Sequence, residues 1–322
     1  MAKGSLTDIV QTERSDVYPR IETRNGGALS RVSEGKTLLI TGASKGIGRS
    51  IAVLHAHTRP RSIILTARSI GPLDAVAAEL EVIDSNIIVI KASLDVGDAG
   101  AVGLFFKHLK EVKGVGRIDV LFNNAGCLEP VLPFAQQDLS TWTTTLNTNM
   151  LGVANVTHGF LRHNFAAVGG SPDGTTAGLN SDALKGVSVI GTSSMGSNST
   201  MPGFSGYMPS KTWMNRFFEF LDTDYGTLSP FGSEGLRAFC FHPGGIPTEG
   251  AQNLPQSILD LWRDNGHDSP DLSGGFTAWL LTPEADFLRG RYVSATWDVD
   301  ELVGKKEEIL ARDLLKTRVE ME

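Results

Sequence analysis

KTLLITGASKGIGRS, Lys36 to Ser50, is the stretch on which the fold turns. Thr37 to Gly42 is a short apolar, β-rich run, and from Gly46 the spacing becomes helical through GIGRSIAVLHAHT. SIILTA, Ser62 to Ala67, is apolar again, so strand, glycine turn, helix and strand make one β-α-β unit. Gly42, Ser44, Lys45, Gly46, Ile47 and Gly48 stand where the strand gives way to the helix. Glycines at that place let backbone approach a pyrophosphate, and a first helical turn presents unpaired N–H groups to it. No Gly-Lys-Ser/Thr closes the loop, which excludes a P-loop.

The alternation continues after this unit. Helices are expected near Gly71 to Ile83, Val96 to Lys113, Asn149 to Val168, Ser210 to Gly226 and Asp271 to Leu281. Strands are expected at Asn86 to Ala92, Ile118 to Asn123, Val187 to Ser194, within GLRAFCFHPGG at Gly235 to Gly245, and at Arg291 to Ala295. Apolar strands separated by helices require a parallel sheet covered on both faces, hence an α/β, doubly wound, Rossmann-type single domain over residues 36–297. Residues 1–35 are polar, with Pro19 and Gly26-Gly27, and are read as an extension that wraps the domain or stays partly mobile. Residues 298–322 form a charged tail expected to end in a helix. Gly169 to Lys185, rich in Gly, Ser, Thr and Asp, is a long connection read as a surface excursion. Ile246 to Ser269 is polar and irregular beyond a strand's carboxyl end, where loops of open α/β sheets close over substrates.

The 322 residues carry a formal charge of -7 and show no long basic patch, so nucleic acid is not an expected partner. Cys127 and Cys240 lie far apart in apolar settings; they offer no disulfide framework or metal spacing and are read as buried free thiols in a reducing compartment. The amino terminus lacks a signal-peptide apolar run, and no stretch approaches 18 consecutive apolar residues. A soluble, cytoplasmic protein without a membrane partner is expected.

At the nucleotide end, the second strand finishes Thr66-Ala67-Arg68, with no acid where the adenosine ribose hydroxyls would be read. Arg68, helped by Lys45, offers charge-assisted bonds to a 2'-phosphate, which favours NADP(H) over NAD; the alternative is a pair of solvated surface charges. Asp95 after the third strand is read either as an acceptor for the adenine amino group or as a helix N-cap. In NNAG, Asn124 can tie strand ends together while Ala125 and Gly126 leave room for the cofactor.

Tyr207 and Lys211 stand one helical turn apart in GYMPSK and can face one cleft. A phenol is a poor base at neutral pH, but a neighbouring ammonium favours its phenolate. Ser194, ending the strand in GTSSMG, can hold a carbonyl oxygen from the other side. Met195, Met201, Phe204 and Trp262 suggest a moderately apolar substrate mouth, with core packing as the alternative. Phe217, Phe218 and Phe220 are read as sheet or subunit packing.

With TGxxxGxG, NNAG, the serine and YxxxK in order over Lys36 to Ala295, the chain resembles the short-chain dehydrogenase/reductase family. The resemblance implies Tyr207 as acid/base, Lys211 on the nicotinamide ribose, Ser194 on the substrate oxygen, and Asn149 of NTNMLG holding a water for proton relay. It also implies a PGxxxT cofactor segment, here Pro243, Gly244, Ile246 and Thr248, with Pro247 removing one donor from the loop. The activity it implies is NADPH-dependent reduction of a ketone to a secondary alcohol, or the reverse oxidation, on a small-molecule substrate. A cyclic or polyketide-like ketone of specialised metabolism falls within that class. The resemblance further implies a homodimer or homotetramer built on the long helices around Asn149 to Val168 and Ser210 to Tyr225. Epimerisation or dehydration with retained nicotinamide is the rival chemistry, and a non-catalytic cofactor-binding scaffold the rival class.

Overall fold

A computed structural model describes residues 9–168, 182–226, 235–248, 254, 256, 259, 260 and 267–319. β1 (Thr37–Thr41), β2 (Ser62–Ala67), β3 (Ile88–Ser93), β4 (Val120–Asn123), β5 (Ser188–Thr192), β6 (Arg237–His242) and β7 (Arg291–Ser294) form one sheet in the order β3-β2-β1-β4-β5-β6-β7. Every pairing is parallel. The order reverses direction between β1 and β4, the switch point outside whose carboxyl ends such sheets bind ligands.

Alternate side chains divide the core. Leu38, Ile40, Ile63, Leu65 and Phe122 point to one face, covered by α1 (Gly46–Ala56) and α2 (Gly71–Ile83), with the helix Pro270–Leu280, labelled α7, packed on α1. Leu39, Ile64, Leu121 and Val189 point to the other, covered by α3 (Ala99–Glu111), α5 (Gly152–Ala167) and α6 (Tyr207–Tyr225). Because both faces are apolar, the central strands read as continuous hydrophobic runs rather than alternating ones.

The helix expected from Asn149 begins earlier. α4 (Leu139–Leu146) leads through a single π turn, Asn147–Leu151, into α5, so Asn149 lies inside one long interrupted helix. Capping residues explain two other boundaries. Asp98 accepts from the Ala101 N–H and starts α3 at Ala99 rather than Val96, and Ser269 accepts from the Asp271 N–H ahead of Pro270.

Residues 9–35 run against the core: Val10 and Ile21 are buried, Glu13 bridges Trp297, and Arg14 pairs with Asp298 at 2.7 Å. The tail forms α8 (Val299–Gly304) and α9 (Lys306–Ala311), but its last described residues are not helical. They return along the sheet edge instead, where the Tyr292 N–H donates to Leu315 O at 2.9 Å and Arg291 pairs with Asp313 at 2.9 Å. The sheet edge offers backbone partners that a further helix would leave unused. No helix of the described residues is long and apolar enough to cross a membrane.

Candidate active site

The glycine turn is shaped by conformation and by closeness. Gly42 and Gly46 have φ of +64° and +54°, where a side chain is strained. A Cβ on Gly48 would stand 2.3 Å from Gly42 O. NNAG is sewn onto this turn: Asn124 Nδ2 donates to Thr41 O at 3.0 Å and Gly42 O at 3.2 Å, while Thr41 Oγ1 accepts from the Asn124 and Ala125 N–H groups at 3.0 Å. Lys45 is the N-cap of α1 and makes no side-chain cap bond, and no acid sits in the first turn, so the turn suits an anion. These features fit a dinucleotide pyrophosphate.

Arg68 is exposed after β2, its carbonyl accepting from Ser93 Oγ, and its guanidinium makes no ion pair among the described residues. Lys45 is also exposed. Asp95 is exposed and its carboxylate accepts from the Gly97 N–H at 2.9 Å, ahead of α3, whereas the cap of α3 is Asp98, which stands three residues before the N–H it caps.

The PGG turn after β6 carries Pro243, Gly244 (φ +105°) and Ile246, which is buried. The Thr248 N–H donates to Ile246 O at 2.8 Å, a three-residue turn centred on Pro247. That turn swings Thr248 to the cradle, its Cγ2 lying 3.2 Å from where a Gly46 Cβ would be. Most of the loop at 246–269, including Trp262, and the connection at 169–181 lie outside the described residues.

Tyr207 opens α6, half-buried, and faces the carboxyl end of β5, where Ser194 stands beside it. Lys211, one turn on, is buried; Nζ donates to Thr192 O at 2.7 Å and stands 5.6 Å from the Tyr207 ring centroid. Burial pushes the Tyr207 phenol up, partly opposed by the Ser194 hydrogen bond. Burial also lowers the Lys211 ammonium, to about 8.

Asn149 grips the NNAG loop. Oδ1 accepts from the Cys127 N–H at 2.9 Å, and Nδ2 donates to Cys127 O at 2.9 Å and to Ser210 Oγ at 3.1 Å. Both amide protons are thus committed. A Cβ on Gly126 would lie 3.2 Å from Asn149 Oδ1 and 3.6 Å from Lys211 Nζ, so glycine leaves these groups one shared space. Cys127 is only partly buried, contrary to expectation, because it lies on this loop rather than in the core; Cys240 is buried as a free thiol.

Met195 is exposed, whereas Met201 and Phe204 line a cavity of about 970 Å³ bounded by the outer side of α6 and Thr317 to Val319. Neither Tyr207 nor Ser194 lines it. Phe218 is buried and Phe217 stacks on Trp213, but Phe220 is 52% exposed on the outer face of α6.

Sequence reading missed residues that act on backbone. Glu129, fully buried, accepts through Oε1 from the N–H groups of Gly206 at 2.8 Å and Tyr207 at 2.9 Å. Asp268 accepts from the Gly245 N–H at 2.6 Å and so joins the two ends of the 246–269 loop. Nothing in the neighbouring residues marks Asp268 or Glu129 as partners of remote N–H groups.

Known proteins match this arrangement. The family described as short chain dehydrogenase matches residues 36–258. The short chain dehydrogenase mpl6 of Monascus purpureus is 33% identical over 317 residues, which span 96% of each chain. The short chain dehydrogenase andI of Emericella variicolor is 29% identical over 320 residues, covering 98% of this chain and 97% of that one. A solved short chain dehydrogenase from Shigella flexneri, complexed with NADP, superposes with a TM-score of 0.66 at 21% identity, covering 83% of this chain and 99% of its own.

Proposed function

The chain belongs to the short-chain dehydrogenase/reductase family of oxidoreductases, and we propose that it reduces a ketone to a secondary alcohol with NADPH, or runs the reverse oxidation. One observation carries the reading: a half-buried tyrosine, beside Ser194 and one turn from a buried lysine, stands at the carboxyl edge of the sheet. When bound, the nicotinamide supplies the hydride.

The chain's own residues do the rest. Ser194 donates to the substrate oxygen and Tyr207, held neutral by its burial, gives that oxygen its proton as negative charge develops there. Lys211 holds the ribose side of the cleft with Nζ anchored on Thr192 O. Asn149 holds the Cys127 backbone and, through Ser210, the first turn of α6. The glycine turn with Ser44, Ile47 and Thr248 holds the pyrophosphate end, and Asp95 the adenine. Arg68 and Lys45 pair with a 2'-phosphate, a reading supported by their exposure and by the lack of an acid after β2. Leu151 and Phe220, each 52% exposed, stand on the helices we assign to a homodimer or homotetramer contact.

A panel of ketones and alcohols assayed with both nicotinamide cofactors tests direction, cofactor and substrate class together. Stoichiometric NADPH consumption is the expected result; product formed without net consumption points to epimerisation or dehydration. Arg68→Asp is expected to abolish the NADP preference, and an unchanged preference places phosphate recognition elsewhere.

A further inference from the structure

α6 begins without a cap of its own. Its N-cap residue is Gly206, which has no side chain to offer, and the Gly206 and Tyr207 N–H groups find no partner within the helix. Glu129 supplies one from the loop after β4, 77 residues away from Gly206 in sequence, with Oε1 taking both N–H groups. Gly206 is matched to this role: a Cβ there would lie 2.9 Å from Glu129 Oε1 and 3.0 Å from Trp142 Nε1. Only glycine lets the carboxylate come so near.

The contact closes a ring around the proposed acid. From Tyr207 the chain of bonds runs through its carbonyl to Ser210 Oγ at 2.6 Å, on to Asn149 Nδ2, to the Cys127 backbone, along the loop to Glu129, and back to the Tyr207 N–H. Glu129 Oε2 is buried with no hydrogen-bond partner among the described residues. Leaving a buried acceptor unpaired is costly, so capping by this carboxylate is not the cheapest way to end a helix. A local rule broken at such a cost next to a reacting group is what a functional constraint produces.

We propose that Glu129 is a positioning residue for Tyr207, fixing the first turn of α6 so that the phenol meets the substrate oxygen. This rests on the assignment of Tyr207 as acid. The groups facing the phenol are Ser194, Lys211, Cys127, Tyr292 and Glu129, and of these the Glu129 charge helps to keep the phenol protonated.

The test compares Glu129→Ala, Glu129→Gln, Gly206→Ala and Tyr207→Phe in the full-length protein, reading kcat, KM and the dissociation constant for NADPH. Glu129→Ala is expected to lower kcat on the order of 10- to 100-fold, the cost of a small misplacement of a catalytic group, with the NADPH dissociation constant within twofold. Glu129→Gln, whose amide oxygen can still accept both bonds, should recover most of that kcat. Gly206→Ala should reproduce the kcat loss even if Glu129→Ala fails to fold. An unchanged kcat in both Glu129→Ala and Gly206→Ala, or an equal loss of kcat and NADPH affinity, overturns the proposal. So does a Glu129→Gln protein that recovers none of the kcat lost in Glu129→Ala. Retained activity in Tyr207→Phe instead overturns the assignment of the acid itself.

Discussion

Lys211 and Tyr207 answer burial in opposite ways, and the pH dependence follows from that difference. Desolvation disfavours whichever form is charged, so the phenol keeps its proton to higher pH while the ammonium gives its proton up at about 8. If cationic Lys211 is needed, reduction should weaken as pH rises through about 8, and kcat/KM measured from pH 6 to 10 should bend there. Lys211→Arg, which stays charged, should move that bend to higher pH even if the rate falls; a bend that stays at about 8 assigns it to another group. Tyr207, Lys211 and Ser194 were legible because their side chains carry the chemistry and their spacing is local. Glu129 and Asp268 were not, since each works by accepting a backbone N–H from a distant segment and leaves no pattern in the letters around it.

At the scale of elements, the turn at Gly46 and the turn at Thr248 meet, and the cofactor cradle depends on both. Gly46→Ala places a Cβ 3.2 Å from Thr248 Cγ2 at a φ of +54°, a conformation that costs about 1–2 kcal/mol for a non-glycine residue. The expected outcome is NADPH affinity weaker by roughly tenfold with little change in far-UV circular dichroism; unaltered affinity by fluorescence titration contradicts the cradle. Packing between helices makes a second demand. A Cβ on Gly159 of α5 would stand 2.4 Å from Phe106 Cδ2 of α3, so Gly159→Ala should destabilise by about 1–3 kcal/mol despite alanine's better helix propensity. Urea midpoints measure it directly. Strands and helices could be read from their apolar runs, yet helix starts could not be placed until Asp98 and Ser269 were seen capping. The π turn at Asn147–Leu151 has no sequence signature either, because its residues read as ordinary helix.

In the whole molecule the two ends of the chain clasp each other across one edge of the core. Arg14 meets Asp298, Arg20 meets Glu284 and Asp300, and Thr12 bonds Glu301, while Val10 and Ile21 are buried beneath. The exposed ion pairs contribute little, but fully burying an aliphatic side chain contributes about 1.5–3 kcal/mol. Removal of residues 1–24 should therefore lower the unfolding midpoint clearly, and an unchanged midpoint contradicts this packing. His55 adds a pH term: its ring lies between Ser33 Oγ at 3.1 Å and Thr277 Oγ1 at 3.2 Å, and burial lowers it to about 3. Below pH 6.5 the unfolded chain binds a proton that the folded one refuses, so stability falls by about 1.4 kcal/mol per pH unit from this group until about pH 3 and is full above 6.5. His55→Gln should flatten the difference in urea midpoint between pH 7 and pH 5. Polarity alone could not foretell that the extension is held down, because its few apolar residues are spaced by contacts with the tail rather than by any period. The chemistry of the whole rests on the phenol of Tyr207, and the measurement that tests it most directly is NADPH oxidation with a ketone substrate by Tyr207→Phe beside the unaltered protein. A fall in kcat on the order of 100-fold or more, with NADPH binding retained, is the predicted result; a Tyr207→Phe protein that turns over as fast as the parent contradicts it.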